Sequence, residues 1–163
     1  MAGTKRILGI DPGFGRMGFG IIDVSGGKMN MVNYGCWETH KGEEFSERLF
    51  CLIKLLRQVI IKYKPTAVVL EELFFFKNLK TAINVAQARG AVMLQIKESK
   101  LPLVELTPLQ VKQSLTSYGR ADKKQMQKMV QVILKLSKAP KPDDAADALA
   151  IAIAAVPYLN QCG

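Results

Sequence analysis

The order of apolar segments along the chain constrains its fold more than any other feature of the sequence. Three strand-like segments come first, at Arg6–Asp11, Met17–Val24 and Lys28–Glu38. Pro12 and Gly13 end the first segment, and Gly26 and Gly27 supply a hairpin turn between the other two. The start of the chain is therefore predicted to form antiparallel strands joined by short turns.

Helical and strand-like segments alternate over the rest of the chain. Apolar residues at helical spacing predict a helix over Glu43–Tyr63, which Pro65 ends. The later elements are strands at Ala67–Glu71 and Leu101–Leu106 and helices at Leu79–Glu98, Pro108–Leu115, Asp122–Leu136 and Asp143–Val156, the last two capped by Asp122 and Asp143. This order predicts an α/β fold with a five-stranded mixed sheet flanked by helices on both faces.

We expect residues 1–163 to form a single domain of the ribonuclease H-like class, whose order of elements this is. Half-molecules of actin-like ATPases have the same order. Fold alone therefore does not name the function.

The charge balance favours a polyanionic partner. Lys and Arg number 23 against 14 Asp and Glu, giving a formal net charge of +9. Nucleic acid is favoured over an anionic membrane surface, because no basic amphipathic helix stands out.

We expect a cytoplasmic protein without a membrane helix, since the longest apolar stretch falls short of the ~20 residues required. The three cysteines form no CxxC pair, which argues against a disulfide framework or a zinc site.

Four acidic residues stand where a metal site would place them. Asp11 and Glu71 each follow an apolar strand, and ligands bind at the carboxyl ends of strands in sheets with crossover helices. Asp144 and Asp147 are three residues apart, so their carboxylates share a helical face. The helix dipole would explain Asp144, but Asp147 lies among alanines, where a buried carboxylate needs a partner or a metal.

A cluster of oxygen ligands without histidine suits a hard divalent cation such as Mg²⁺, for which Mn²⁺ can substitute. Two such ions per site would support hydrolysis of a phosphodiester. The neighbouring acids Glu71 and Glu72 complicate the choice of ligand, since they point to opposite faces of a regular strand. Val69 shares a face with Glu71 and Leu70 shares one with Glu72, so apolar periodicity does not decide between them.

Several segments together resemble one family, the RuvC crossover junction endodeoxyribonucleases. They are ILGIDPGFGRMGFGII, KPTAVVLEELFFFKN, QARGAVM, VKQSLTSYGRADKKQM and DDAADALAIAIAA, and they come in the family's order. IDPG alone is shared with actin-like kinases, whereas QARG and DAADALAIAI are more specific. The resemblance implies an endonuclease that resolves Holliday junctions during recombination and repair, by symmetric metal-dependent nicking of two strands of like polarity.

The resemblance also implies roles for particular residues. The catalytic metal ligands would be Asp11, Glu71, Asp144 and Asp147. It selects Glu71 over Glu72, because the family's glutamate directly follows the apolar strand and precedes an aromatic residue by three positions. Lys112 and Lys123 would contact DNA near the scissile phosphate, and Phe74 would stack on a base at the opened crossover.

The partners implied by the resemblance are a four-way DNA junction, a second copy of the chain in a homodimer, and a branch-migration helicase complex. One position departs from the family. Ser117 stands where the family often has a glycine, which bears on the mobility of a DNA-contacting loop.

The residues taken by themselves leave other roles open. Aromatic side chains such as Phe74, Phe75 and Phe76 are more often core than base-stacking platforms. Six basic residues are by default solvated charges that together suit phosphate contacts: Lys77, Lys80, Arg89, Lys112, Lys123 and Lys124. An ATP-handling relative of actin-like or sugar kinases would need a second copy of the glycine motif. A catalytically silent junction-binding module would not need the four acids.

Overall fold

A computed structural model of the protein describes residues 3–72 and 78–160. The strands are β1 (Lys5–Asp11), β2 (Arg16–Ser25), β3 (Lys28–Glu38), β4 (Ala67–Glu71) and β5 (Leu103–Leu106). The helices are α1 (Phe45–Tyr63), α2 (Leu79–Glu98), α3 (Pro108–Thr116), α4 (Lys123–Ile133), α5 (Asp143–Ala154) and α6 (Val156–Asn160). The order of strands and helices is the one predicted from the sequence.

The five strands form one mixed sheet in the order β3-β2-β1-β4-β5. Strands β1, β2 and β3 are antiparallel neighbours, as their short connections require. Strand β4 pairs in parallel with both β1 and β5, so the helices α1 and α2 serve as crossovers. The carboxyl ends of β1, β4 and β5 therefore meet at one edge of the sheet.

Each face of the sheet has its own apolar core. On one face Leu8 and Ile10 pack with residues of α1 and α2, including Leu52 and Ile96. On the other face Ile7 and its neighbours pack with residues of α3, α4 and α5. Successive residues of β1 thus face opposite cores, and the prediction of helices on both faces is confirmed.

Helix α5 is the most deeply buried helix among the described residues. Its segment Ala148–Ala154 is entirely buried between the sheet and the helices α3 and α4. The helix has only 12 residues. No helix in residues 3–72 or 78–160 has the length and apolar character needed to cross a membrane.

The predicted starts of α1 and β5 differ from the structure. Helix α1 begins at Phe45 and not at Glu43, whose N–H is used in a turn with the His40 carbonyl. Strand β5 begins at Leu103, because the N–H of Leu101 closes the end of α2 by bonding to the Ile96 carbonyl. Each difference arises from a backbone hydrogen bond that apolar spacing does not reveal.

Helix α4 ends at Ile133 and not at Leu136. Lys135 takes a left-handed conformation with φ of 53°, and the N–H of Leu136 returns to the Gln131 carbonyl. These are the features of a helix-terminating Schellman turn. Leu136 still packs against the core, which explains why the apolar pattern continues past the helix.

The predicted cap at Asp122 is confirmed, whereas the one at Asp143 is wrong. The Asp122 side chain accepts a hydrogen bond from the Gln125 N–H, and the Asp122 N–H donates one to the Gln125 side-chain oxygen. The N-cap position of α5 is occupied by Pro142, and Asp143 is the first residue of the helix. Helix α5 also ends at Ala154, since Pro157 has no N–H with which to continue it.

Candidate active site

Helix α5 lies directly on β1 and β2 because glycines leave room for it. A Cβ atom on Gly9 would lie 2.1 Å from the Ala148 carbonyl oxygen, and one on Gly18 would lie 2.0 Å from the Asp144 carbonyl oxygen. Gly20 faces the helix backbone in the same way. Glycine inside a strand commonly marks such a close approach. The contact brings the acidic first turns of α5 next to the carboxyl end of β1.

The strand ends supply two acids on the face that carries α5. Asp11 and Glu71 are the last residues of β1 and β4, whose final pair is Ile10 with Leu70. Val69 belongs to the core beneath α5, so Glu71, two residues later, faces the same way. Glu72 is exposed on the other side. The structure thus places Glu71, and not Glu72, beside Asp11.

These acids line a cavity of about 290 Å³ between the strand ends and three helices. The polar residues of its wall are Asp11, Glu71, Asp147, Lys112 and Lys123. Apolar residues of α3, α4 and α5 form the remainder, among them Val111, Met126 and Ile151. Three of the four predicted metal ligands and both predicted DNA-contacting lysines therefore come together in one place.

Asp144 lies outside this cavity. Its carboxylate faces β2 and β3, where it lies 3.3 Å from Arg16 Nε and 3.9 Å from Cys36 Sγ. Arg16 also lies 3.2 Å from Glu38. The charge of Asp144 nevertheless raises the pKa of Asp11, so the two carboxylates interact electrostatically.

The pKa values of the clustered acids are shifted upward. Burial raises the pKa of Asp11 to about 8, and the charges of Asp147, Glu71 and Asp144 add to the effect. Burial and the charge of Asp147 raise the pKa of Glu71 to about 7, against the opposing effect of Lys112. Burial also raises the pKa of Asp147. The cavity thus concentrates negative charge that its two lysines only partly offset.

Lys123 is held against the acids of α5. Its Nζ lies 3.3 Å from an oxygen of Asp143 and 3.6 Å from one of Asp147. Burial lowers the pKa of Lys123, but its acidic neighbours, Asp147 foremost, produce a net increase. Asp143 also accepts a hydrogen bond from Gln127 Nε2 at 2.9 Å. The part of Asp143 in holding Lys123 was missed, because nothing in the sequence relates α4 to the start of α5.

The other predicted DNA contacts have different outcomes. Phe74 and Lys77 lie outside the described residues. Lys80 and Lys124 are exposed, as solvated charges should be. Arg89 is not: its side chain is only 14% exposed and is turned into the fold. The grouping of Arg89 with the surface cations was therefore wrong.

The oxygen donors are not arranged as a closed metal site. In the described part of the chain, no three Asp, Glu, His or Cys side chains are grouped so that they could hold one ion. The wall of the cavity carries carboxylates and lysines together, and Lys123 is close to Asp147. Coordination of an ion would require these carboxylates to draw together.

The family model described as crossover junction endodeoxyribonuclease RuvC matches residues 7–155. The chain belongs to the RuvC family. The RuvC protein of Petrotoga mobilis is 48% identical over 146 residues, covering 90% of each chain. That of Fusobacterium nucleatum is 49% identical over 158 residues, covering 97% of this chain and 82% of the relative. The family predicted from the segments ILGIDPGFGRMGFGII to DDAADALAIAIAA is thus confirmed.

Solved structures support the same assignment. Thermus thermophilus RuvC in complex with Holliday junction substrate matches with a TM-score of 0.91 at 34% identity, over 97% of this chain and 96% of that one. The complex of fowlpox virus resolvase with Holliday junction DNA matches with a TM-score of 0.61 at 15% identity, over 95% and 99%. The second likeness concerns the fold alone, and the ribonuclease H-like architecture is confirmed.

Ser117 is the position at which the family resemblance predicted a departure from glycine. It caps the C-terminus of α3 in a left-handed conformation, with φ of 57° and ψ of 16°. Glycine adopts this conformation without steric cost, whereas a residue with a Cβ atom does not. The backbone at this position therefore has the shape that a glycine would favour, although serine occupies it.

Proposed function

We propose that the chain cleaves four-way DNA junctions by metal-dependent hydrolysis of phosphodiester bonds. The observation that carries the proposal is the cavity in which Asp11, Glu71 and Asp147 face Lys112 and Lys123. Carboxylates beside cations form a surface that can hold a phosphate against a divalent ion. The net charge of +9 supports attraction of DNA to this surface.

The chemistry of the donors fits Mg²⁺ or Mn²⁺. The cavity offers carboxylate oxygens, which hard divalent cations prefer, and none of the described residues on its wall is a histidine or a cysteine. The raised pKa values of Asp11 and Glu71 record repulsion and burial that a bound cation would relieve. Asp11, Glu71 and Asp147 would hold the metal, with Asp144 joining from the adjacent turn of α5.

A pair of divalent ions held by these carboxylates would supply activation of a water molecule and stabilisation of the leaving oxygen. The chain's own residues supply the surroundings for this chemistry. Lys112 and Lys123 place positive charge where a phosphate would enter the cavity. Asp143, which accepts a hydrogen bond from Gln127, holds the ammonium group of Lys123 at the cavity wall. The apolar wall from α3 to α5 lowers the effective dielectric and strengthens each of these interactions.

The proposed active form is a homodimer in which α2 meets its counterpart in a second copy. Leu79, Ile83 and Leu94 are each at least half exposed along one side of α2, a costly arrangement for a helix of a monomer. Gly90 lies between them with nothing within 4 Å, which leaves room for close approach of another helix. Two copies related in this way would offer two sites to one junction.

The decisive experiment is cleavage of a synthetic four-way junction in Mg²⁺, compared with a linear duplex of the same sequence. We expect paired nicks in strands of like polarity on the junction alone. Addition of EDTA should stop cleavage, whereas Ca²⁺ should support binding without cleavage. Cleavage in EDTA would refute the metal mechanism, and equal cleavage of the duplex would refute junction selectivity. The branch-migration helicase complex stays a prediction of the family resemblance.

A further inference from the structure

The guanidinium of Arg89 is largely shielded from solvent near the end of the strand that carries Glu71. Arg89 lies in the middle of α2 and belongs to the QARG segment. Its side chain is 14% exposed. Shielding a charge from water is costly unless its donors find acceptors, so the acceptors of Arg89 indicate the role of the residue.

The donors of Arg89 connect three elements. Nε donates to the Glu71 carbonyl oxygen at the end of β4, at 3.3 Å. Nη2 donates to the Glu105 carboxylate on β5, and Nη1 lies 3.2 Å from Met93 Sδ on α2 itself. One rigid planar group therefore ties α2 to two neighbouring strands at the edge where the cavity lies.

The carbonyl group of Glu71 belongs to the last residue of β4, which pairs with Leu106 of β5 but has no partner on β1. The last pair between β1 and β4 is Ile10 with Leu70, so Glu71 lies beyond that ladder. On the other side of the same peptide group, the Glu72 N–H donates to the Leu106 carbonyl at 2.7 Å. The peptide between Glu71 and Glu72 is thus fixed at one end by β5 and at the other by Arg89.

The main chain at Glu71 carries a carboxylate that lines the cavity, whereas the Glu72 side chain is exposed. A displacement of this strand end would therefore move the Glu71 carboxylate relative to Asp11. The hydrogen bond to β5 holds the Glu72 N–H but not the Glu71 carbonyl. Arg89 supplies the second hydrogen bond.

We propose that Arg89 is a positioning residue for the active site, which acts by fixing the main chain of Glu71. Among the described residues, Arg89 is not part of the cavity wall. The proposal rests on the proposed metal-dependent function, because it assigns Arg89 the task of holding one carboxylate where an ion would bind. Groups that orient metal ligands in this way typically affect metal affinity as well as activity.

The test compares Arg89→Met with Glu105→Gln. The first variant removes the donor to Glu71, whereas the second weakens the ion pair but leaves that donor in place. We expect Arg89→Met to weaken Mn²⁺ binding, followed by electron paramagnetic resonance of free Mn²⁺, by about tenfold or more. Junction binding in Ca²⁺ should change less than twofold. Glu105→Gln should lower the melting temperature but keep Mn²⁺ affinity close to that of the wild type.

A second measurement does not depend on metal. Hydrogen exchange at the Glu72 amide, measured by NMR with the Val69 amide as an internal reference, should accelerate selectively in Arg89→Met. If that variant does not fold, Arg89→Lys takes its place, since one ammonium cannot reach both Glu71 and Glu105 in the geometry of a guanidinium. Unchanged Mn²⁺ affinity and unchanged relative exchange at Glu72 would overturn the proposal. Absence of Mn²⁺ binding by the wild type would instead refute the proposed function. Hydrogen exchange at the Glu72 amide would still test the role of Arg89.

Discussion

The ammonium group of Lys123 lies 3.6 Å from a carboxylate oxygen of Asp147, so a cation of the chain itself sits against a proposed metal ligand. Lys123 also contacts Asp143, which is outside the set of proposed ligands. This second partner allows Lys123 to stay at the cavity wall when Asp147 turns to an ion. Lys123 is then available to a phosphate oxygen without leaving the site.

We predict that Lys123→Ala or Lys112→Ala lowers the rate of junction cleavage by at least about tenfold while weakening junction binding much less. The reason is that charge on the phosphate grows in the transition state, where a nearby cation contributes most. Single-turnover cleavage and equilibrium binding in Ca²⁺ measure the two effects. Lys54→Ala, on the exposed side of α1, is the control. An equal loss in rate and affinity would make these lysines ordinary backbone contacts.

Glu71→Gln and Glu72→Gln should differ sharply. Glu71 lines the cavity and Glu72 is exposed, although the two are adjacent in the chain. We expect Glu71→Gln to keep the fold and junction binding but to lose at least ~10²-fold in cleavage rate, since it neutralises a metal ligand. Glu72→Gln should keep most activity. The reverse order in single-turnover rates on a four-way junction would show that the site is wrongly placed.

Without metal, Asp11→Asn should raise the melting temperature, and the gain should grow between pH 5 and pH 8. Folding raises the pKa of Asp11 to about 8, so the native state binds a proton that the unfolded chain has released. Stability is therefore lost as pH rises from about 4 towards 8, and asparagine removes that loss. Thermal unfolding in EDTA at several pH values measures it, with exposed Glu43→Gln as control. A gain independent of pH would contradict the prediction.

Gly18→Ala should destabilise the protein by about 1–3 kcal/mol, because overpacking against the backbone of α5 forces the helix away from the sheet. The added Cβ atom would lie 2.0 Å from the Asp144 carbonyl oxygen, which no side-chain rotation can relieve. Urea unfolding gives the free energy. Gly3→Ala is the control, since nothing lies within 4 Å of its Cβ position. Equal stability of the two variants would mean that α5 does not lie as described.

If the proposed homodimer forms through α2, Leu94→Glu should convert it to monomers. Leu94 is 62% exposed on α2, and a buried, unpaired carboxylate at a helix contact is strongly unfavourable. Sedimentation velocity across a range of protein concentrations measures the equilibrium. Ile61→Glu is the matched control, because Ile61 is 64% exposed on α1, away from the proposed contact. If both variants remain dimeric, the second copy binds elsewhere.

Features that depend on local spacing could be predicted from the sequence. Strand β4 and helix α2 begin and end where apolar periodicity placed them. The strand-end positions of Asp11 and Glu71 follow from the same pattern, because parallel strands end at a common edge. The choice of Glu71 over Glu72 needed either the family or the three-dimensional register, since both faces of β4 are apolar.

Features that depend on distant parts of the chain could not be predicted. The contacts of Arg89 with Glu71 and Glu105, and of Lys123 with Asp143, join helices to other elements at distances that periodicity does not encode. The sequence predicts a surface position for Arg89, because charged residues are rarely buried. The glycines of β1 and β2 do indicate that another main chain lies close by, since glycine within an apolar strand often marks such a close approach.

The contact of α5 with Gly9 and Gly18 has a consequence for how this protein can change over evolutionary time. The distance between Asp11 and the acids of α5 is determined by contact between the main chains of the strands and the helix. Repacking of side chains elsewhere therefore does not change this distance. Substitutions in the layer of α1 and α2 can accumulate without disturbing that separation. The alanine-rich helix α5 and the glycines beneath it have no such freedom. We therefore expect amino-acid substitutions in the family to accumulate most slowly at these positions.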